Sequence, residues 1–382
     1  MKFSVLLPTR NGGPFLENCI RSILEQDYSD LELVISDNAN ADATPEICRK
    51  FSGDPRVKVL RLDTPVSVTD NWNNALSGSS GDYILMMGDD DCLLPGYFCR
   101  MELILDRYDQ PDCIVHNAYS YVAPGAMAGN QRSYYCEEHF HFGPDFRREG
   151  LLSSQQRFGI VRDMFDFRVR IPLNMQTTLV GRKAFTKHCG CRFQPPFPDH
   201  YALNSLLLTA PNWVFSPEKP LVVGISPKSF GHYVYSNRQA SGLAYLGIAA
   251  EFAGRLPGNE LMNGMHVWLN RLRQNYPEQL NGVKVDRPGY VRRQFYAWCM
   301  QWKLGAITPA GFRANLSLLS PSDWLGLLGS VVNWASWKRL IRIVRGGRKR
   351  SAAEAQWSSL LPLEGVDGIR GFVQWLGERD AR

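Results

Sequence analysis

Along residues 1 to 116, short apolar runs end in polar turns and are followed by apolar residues at helical spacing. Phe3 to Leu7 is the first run, closed by Pro8 and the glycine-bearing turn Thr9 to Gly13. From Pro14 onward, Phe15, Leu16, Cys19, Ile20, Ile23 and Leu24 mark one helix face, with proline near its start. The unit repeats: Leu31 to Ser36 predicts a second strand and Asp37 to Ala43 a polar loop. Thr44 then reads as an N-cap with Pro45 at the first helical position. Val57 to Leu62 predicts a third strand, Asn71 to Leu76 a helix, and Tyr83 to Met87 a fourth strand. Such alternation specifies a mostly parallel sheet with helices on both faces.

In such sheets ligands bind at the carboxyl ends of the strands. The loops there carry Thr9 to Gly13, Asp37 to Asn40 and Asp89 to Asp91. Three adjacent carboxylates repel one another, and a divalent cation with oxygen ligands is the usual relief; a solvated acidic turn is the alternative. Convergence of acidic and amide groups from three strand ends favours a site.

Residues 117 to 160 show no clear periodicity and contain Pro124, Gly125, Gly129, Gly143 and Pro144; they read as a long functional loop. In FQPPFPDHYALNSLLLTA the prolines predict an extended approach to a helix, with Asp199 at its start as either a catalytic base or a cap. From about residue 245, helical spacing over Leu243 to Arg255, Leu261 to Tyr276 and Tyr290 to Leu304 predicts a helical appendage. Trp268, Trp298 and Trp302 are expected in its core.

The charge changes the picture in one place. The chain has 382 residues, with 43 Lys and Arg against 37 Asp and Glu. Seven of the cations, Lys338, Arg339, Arg342, Arg345, Arg348, Lys349 and Arg350, follow one another without an intervening acid, which leaves the rest near neutrality. They trail Trp324, Leu325, Leu328, Val331, Val332, Trp334 and Trp337, so residues 322 to 350 read as a basic amphipathic segment on an anionic membrane surface. A packed helix with a solvated basic tail is the competing view. Nucleic acid is not expected as a partner, since no binding motif accompanies the patch. No run of about 18 apolar residues predicts a membrane span. Pro8, Arg10 and Asn11 cut the first apolar run too short for a signal peptide. Nine scattered Cys without a CxxC pair suit a reducing compartment. These features predict a cytoplasmic protein, peripheral on the inner face of the membrane.

SVLLPTRNGG, then ELVISDNANADAT, then DNWNNALSGSSGDYILMMGDDDCLLPG closely resemble, in order, the nucleotide-binding half of family 2 glycosyltransferases with the GT-A fold. The resemblance covers about residues 1 to 116 and continues more weakly to about 240. It implies an α/β GT-A domain over 1 to 240, divided into a nucleotide-binding half (1 to 116) and an acceptor half (117 to 240), followed by a helical region over 241 to 382. By resemblance Pro8, Thr9, Arg10, Asn11, Asp37, Asn73, Asp89 and Asp90 contact the nucleotide-sugar, and Asp89, Asp90 and Asp91 hold Mg²⁺ or Mn²⁺. Asp90 is the safest ligand, because aligning back from Pro95 puts the family's first Asp on Gly88. Where the family has Asp-Asp-Gly-Ser, this chain has Ser36-Asp37-Asn38-Ala39-Asn40, so one acid is absent beside the base. The family places its catalytic base in a setting like that of Asp199. Gln176 lies in a segment that faces the acceptor in the family. His232 and Arg238 lie in SFGHYVYSNRQASG, which resembles a loop folded over the diphosphate; an ordinary surface loop is the alternative.

The resemblance therefore implies an inverting, metal-dependent transferase. It would move a sugar from a nucleotide-diphosphate donor, UDP by default with dTDP and GDP open, to a hydroxyl of a glycan or polyprenyl-linked acceptor in cell-surface polysaccharide assembly. Two rivals stand beside it: a non-catalytic glycan- or nucleotide-binding protein of the same fold, and a sugar nucleotidyltransferase. PTRNGGPF is too poor in glycine for the phosphate loop the latter needs.

Overall fold

Parallel strands buried on both faces must be apolar almost throughout, and the first strands of this chain are. The computed structural model describes residues 1–126, 131–139, 146–168, 174–190, 192–229, 252–303, 305–331 and 360–380. Strand β1 (Phe3–Thr9) leads into helix α1 (Gly13–Leu24), β2 (Leu31–Asp37) into α2 (Thr44–Phe51), and β3 (Val57–Arg61) into α3 (Val68–Ser77). Then come β4 (Tyr83–Met86), β5 (Cys92–Leu93) and α4 (Tyr97–Arg107). The expected order is observed, with boundaries close to those predicted. One cap differs: Thr44 is already inside α2, the N-cap is Ala43 with no side-chain cap bond, and Asp42 just before it accepts the Thr44 N–H on Oδ1 at 3.1 Å.

The rest of the large sheet comes from later in the chain. Strands β6 (Cys113–His116), β7 (Tyr119–Val122), β8 (Ser133–Cys136) and β9 (Gly150–Leu151) precede α5 (Ser154–Phe165). Next are β10 (Thr178–Gly181), α6 (Arg182–Cys189), α7 (Pro198–Thr209), β11 (Trp213–Ser216) and β12 (Leu221–Ile225). The large sheet runs β3-β2-β1-β4-β10-β6-β11-β9, parallel from β3 to β4 and again between β6 and β11. β10 enters antiparallel between β4 and β6, joining the two halves. Residues 117 to 160 are thus not one irregular loop: they hold β7, β8, β9 and the start of α5.

The C-terminal part holds α8 (Glu260–Asn275), α9 (Arg287–Lys303), α10 (Pro309–Leu316) and α11 (Pro321–Val331), then β13 (Leu361–Leu363) and α12 (Gly368–Asp380). Trp268 and Trp298 are fully buried, as expected, but Trp302 is 52% exposed. Residues 252–255 are not helical, and residues 243–251 of the helix expected there lie outside the described residues. The region is also not purely helical. β13 pairs antiparallel with β8 and completes a second sheet, β13-β8-β7-β12-β5. Helix α12 covers that sheet: Phe372 is buried among Tyr119, Tyr121 and Tyr135, and Arg370 makes a two-pronged bond to Glu25 at the C-cap of α1.

Candidate active site

The turn between β4 and β5 is where the two sheets meet. Its three carboxylates have different surroundings. Asp91 is 2% exposed, and both its oxygens accept backbone N–H groups, Oδ2 from Gly88 at 2.7 Å and Oδ1 from Gly224 of β12 at 2.9 Å. Asp89 and Asp90 stay partly accessible. Asp89 Oδ2 accepts the Thr9 hydroxyl of β1 at 2.7 Å, and Asp90 Oδ2 accepts the Ser229 hydroxyl beyond β12 at 2.9 Å. Glycine is required at two closing points. A Cβ on Gly12 would strike the Asp89 carboxylate, and one on Gly224 would strike the Asp90 carbonyl.

Crowding and desolvation oppose ionisation here. Desolvation and then repulsion from Asp90 push Asp89 up to about 7, against the Thr9 hydrogen bond. Desolvation raises Asp90 too, against hydrogen bonds from Ser226 and Ser229, and it raises Asp91 well above the ordinary range, with Asp90 adding repulsion. A divalent cation removes that penalty, and Mg²⁺ characteristically takes one or two carboxylates plus phosphate oxygens. The residues present fit such an ion. Among the described residues no group of three or more His, Cys, Asp or Glu forms a metal cage.

The neighbouring strand ends are interlocked. Asp37 is 1% exposed; its Oδ2 pairs with Arg61 Nη1 at 2.9 Å and its Oδ1 accepts the Asn40 N–H at 2.9 Å. Asn40 lies further along the same loop. Its Oδ1 accepts the Asn11 N–H at 2.7 Å and its Nδ2 donates to the Thr9 carbonyl at 3.2 Å, so the amide ties β1 to β2. Pro8 to Asn11, Asp37 and Asp89 to Asp91 are therefore brought together, with Arg10 on the exposed side.

Asn73 is used differently. Its amide accepts the Phe193 N–H at 2.8 Å and donates to the Phe193 carbonyl at 3.2 Å, while Trp72 packs edge-on against Phe193. This clamp fixes the segment leading to α7. Asp199 sits in the first turn of α7, partly accessible, with no hydrogen bond or ion pair to its side chain among the described residues. It does not act as the cap, since the helix begins at Pro198 after Phe197 in the left-handed conformation (φ 57°). The C-terminal helix α8 supports this start: Arg271 donates to the Pro195 carbonyl at 2.6 Å, and Asn275 to the Tyr201 hydroxyl at 2.6 Å. His200 stacks on Trp268 with ring centres 6.0 Å apart. Gln176 lies in a single helical turn, Met175–Thr177, with a buried side-chain oxygen that has no partner. His232 and Arg238 lie outside the described residues.

Sequence reasoning missed Arg61, Asn40, Ser226, Ser229 and the α12 wall. The tight polar turn Ser226-Pro227-Lys228-Ser229 after an apolar run was a readable signal. The wall was not: a cleft of about 120 Å³ opens beside Asp90, between Phe15 and Asn18 of α1, Tyr121, Ile225, and Ile369 of α12.

With this geometry in hand, comparison with known proteins gives a consistent picture. Over 97 residues the chain is 37% identical to GalNAc(5)-diNAcBac-PP-undecaprenol beta-1,3-glucosyltransferase of Campylobacter jejuni, covering 25% of this chain and 31% of the relative. Over 119 residues it is 29% identical to the glycosyltransferase GlyG of Streptococcus pneumoniae, covering 31% of this chain and 39% of the relative. The chain thus spans about a third of the length of these curated relatives. Among solved structures, S. aureus TarS 1-349 in complex with UDP aligns over 92% of this chain and 93% of that one, at 16% identity and a TM-score of 0.48. Residues 4–164 match the family described as glycosyl transferase family 2.

Proposed function

We propose that the protein is an inverting glycosyltransferase that moves a sugar from a nucleoside-diphosphate donor to a hydroxyl of a glycan on a lipid carrier. One observation carries this reading: two partly accessible carboxylates, Asp89 and Asp90, are crowded at the strand ends beside the Thr9 to Asn11 loop. The nucleotide would lie across Pro8 to Asn11 and Asp37. The structure supports Asp89 and Asp90 as the holders of Mg²⁺ or Mn²⁺ over Asp91, whose oxygens are taken by backbone N–H groups. Such an ion, when bound, supplies Lewis-acid stabilisation of the diphosphate as it departs.

In the proposed reaction the C1–O bond to the diphosphate breaks and the nucleoside diphosphate leaves with the electron pair. The acceptor oxygen bonds C1 from the opposite face, and its proton passes to Asp199. That carboxylate suits the role because no side-chain partner competes for it and Asn73 and Arg271 fix its approach. The Campylobacter relative, whose name carries a PP-undecaprenol acceptor, supports a lipid-linked glycan as the acceptor class.

Calorimetric titration with UDP, dTDP and GDP, each with and without Mn²⁺, tests the reading. Binding of one nucleotide, at least tenfold tighter with metal, is the expected result. No nucleotide bound by folded protein would favour a non-catalytic glycan-binding protein instead.

A second reading concerns the membrane. No helix among the described residues is long and apolar enough to cross one. Yet Trp324, Leu325 and Leu328 on α11 are 40%, 70% and 59% exposed, directly before the basic stretch of the sequence. This supports an anionic lipid surface as a partner of residues 322 to 350, of which 332–350 lie outside the described residues. Leu325→Glu with Leu328→Glu is expected to reduce sedimentation with phosphatidylglycerol vesicles; equal sedimentation would dismiss the idea.

A further inference from the structure

The turn Ser226 to Ser229 holds itself together without its lysine. The Ser226 N–H donates to the Ser229 hydroxyl at 2.9 Å, the Ser229 N–H to the Ser226 carbonyl at 3.0 Å, and the Lys228 N–H to the Ser226 hydroxyl at 3.3 Å. Ser229 then anchors the turn to Asp90. Pro227 and Lys228 stand exposed at its tip.

The Lys228 side chain is nonetheless not left to solvent. Its ammonium reaches across to the β1 loop and donates to the Asn11 carbonyl. Its charge also acts on a nearby carboxylate outside the acidic turn. In Asp42, desolvation raises the group, but donors from Thr44 and Gly13 and the Lys228 charge together carry it below its ordinary value. Among the described residues Lys228 makes no ion pair within contact distance, and an ammonium has three donors, of which Asn11 takes one. A long flexible side chain pinned over an acidic site, at the cost of its rotamer freedom, is more than the turn requires.

We propose that Lys228 is a diphosphate-contacting residue of the donor site, a protein-borne positive charge that acts beside the metal. The inference rests on the donor reading above and names a residue for it. A diphosphate lying between the Asn11 loop and Asp90 meets an ammonium already held at the edge of both. Lysine suits this as a point charge that accepts several phosphate geometries. Because Ser229 of the same turn bonds Asp90, docking of phosphate on Lys228 also fixes the carboxylate beneath it.

The test compares the full chain with Lys228→Met and Lys228→Arg by calorimetry in EDTA and in Mn²⁺, using UDP, dTDP and GDP with the matching nucleosides. In Lys228→Met the affinity for the bound diphosphate is expected to fall ~10- to 100-fold in EDTA, the range for loss of a charged hydrogen bond, and less in Mn²⁺. Nucleoside affinity should not change, and arginine should restore most of the loss. Equal diphosphate affinity in wild type and Lys228→Met would overturn the role of Lys228 while leaving the donor reading intact. Absence of any nucleotide or nucleoside binding by folded wild type would overturn both. Circular dichroism and the thermal midpoint show whether each variant is folded.

Discussion

The β4–β5 turn and the start of α7 both present carboxylates, but in opposite electrostatic settings. At the turn, desolvation pushes all three groups up, and repulsion from Asp90 adds to it at Asp89 and Asp91. At α7, Asp199 stands alone, with no side-chain partner among the described residues. In the proposed reaction the crowded acids would hold the cation and the isolated acid of the helix start would accept the proton, so the contrast in surroundings matches the two roles assigned to them.

Three variants sharpen or break that contrast. The largest effect is expected for Asp199→Asn, which keeps the shape of the helix start and removes the base. Its kcat should fall ~10²- to 10⁴-fold with nucleotide affinity unchanged, and a kcat within a few-fold of wild type would place the base elsewhere. Asp91→Ala comes next, as a stability effect. It leaves the Gly88 and Gly224 N–H groups without their acceptor, at a cost of about 2 kcal/mol, read from the urea midpoint. An unchanged midpoint would mean that Asp91 does not brace the turn.

The smallest effect is a pH dependence. In folded, metal-free protein Asp89 is pushed up to about 7, above its ordinary 3.8, so the folded state binds the proton more tightly than the unfolded one. The stability this contributes is complete below about pH 4 and is lost as pH rises through 7. Compared with Asp89→Asn, wild type should therefore lose on the order of 1 kcal/mol between pH 5 and pH 8 in EDTA. Mn²⁺ should abolish the difference. Parallel curves for the two proteins in EDTA would show that the turn is not electrostatically strained.

The nucleotide half was legible because its periodicity is local: β1 to β4 and their helices each declare themselves within about ten residues. The convergence of Thr9, Asp37 and Asp89 followed from the parallel topology alone. The division of duties within Asp89-Asp90-Asp91 did not, since the backbone path of the turn decides which carboxylate meets Gly88 and Gly224. The second sheet was hidden for another reason. Tyr119–Val122 and Ser133–Cys136 are four-residue strands rich in tyrosine, and β13 finds β8 across more than 220 residues of sequence. No local pattern encodes such a pairing. Trp302 looked like core for its size, yet it lies on the outer side of α9, half exposed with Phe312 packed against it.

The pairing of β13 with β8 has a consequence for the birth of the protein. A chain leaving the ribosome exposes the β1 loop, the acidic turn and α7 long before Leu361 is made. During that interval the outer edge of β8 is open, and the cleft beside Asp90 lacks the wall that Ile369 provides. Synthesis, and not folding of the first half alone, therefore sets the moment at which the site is whole.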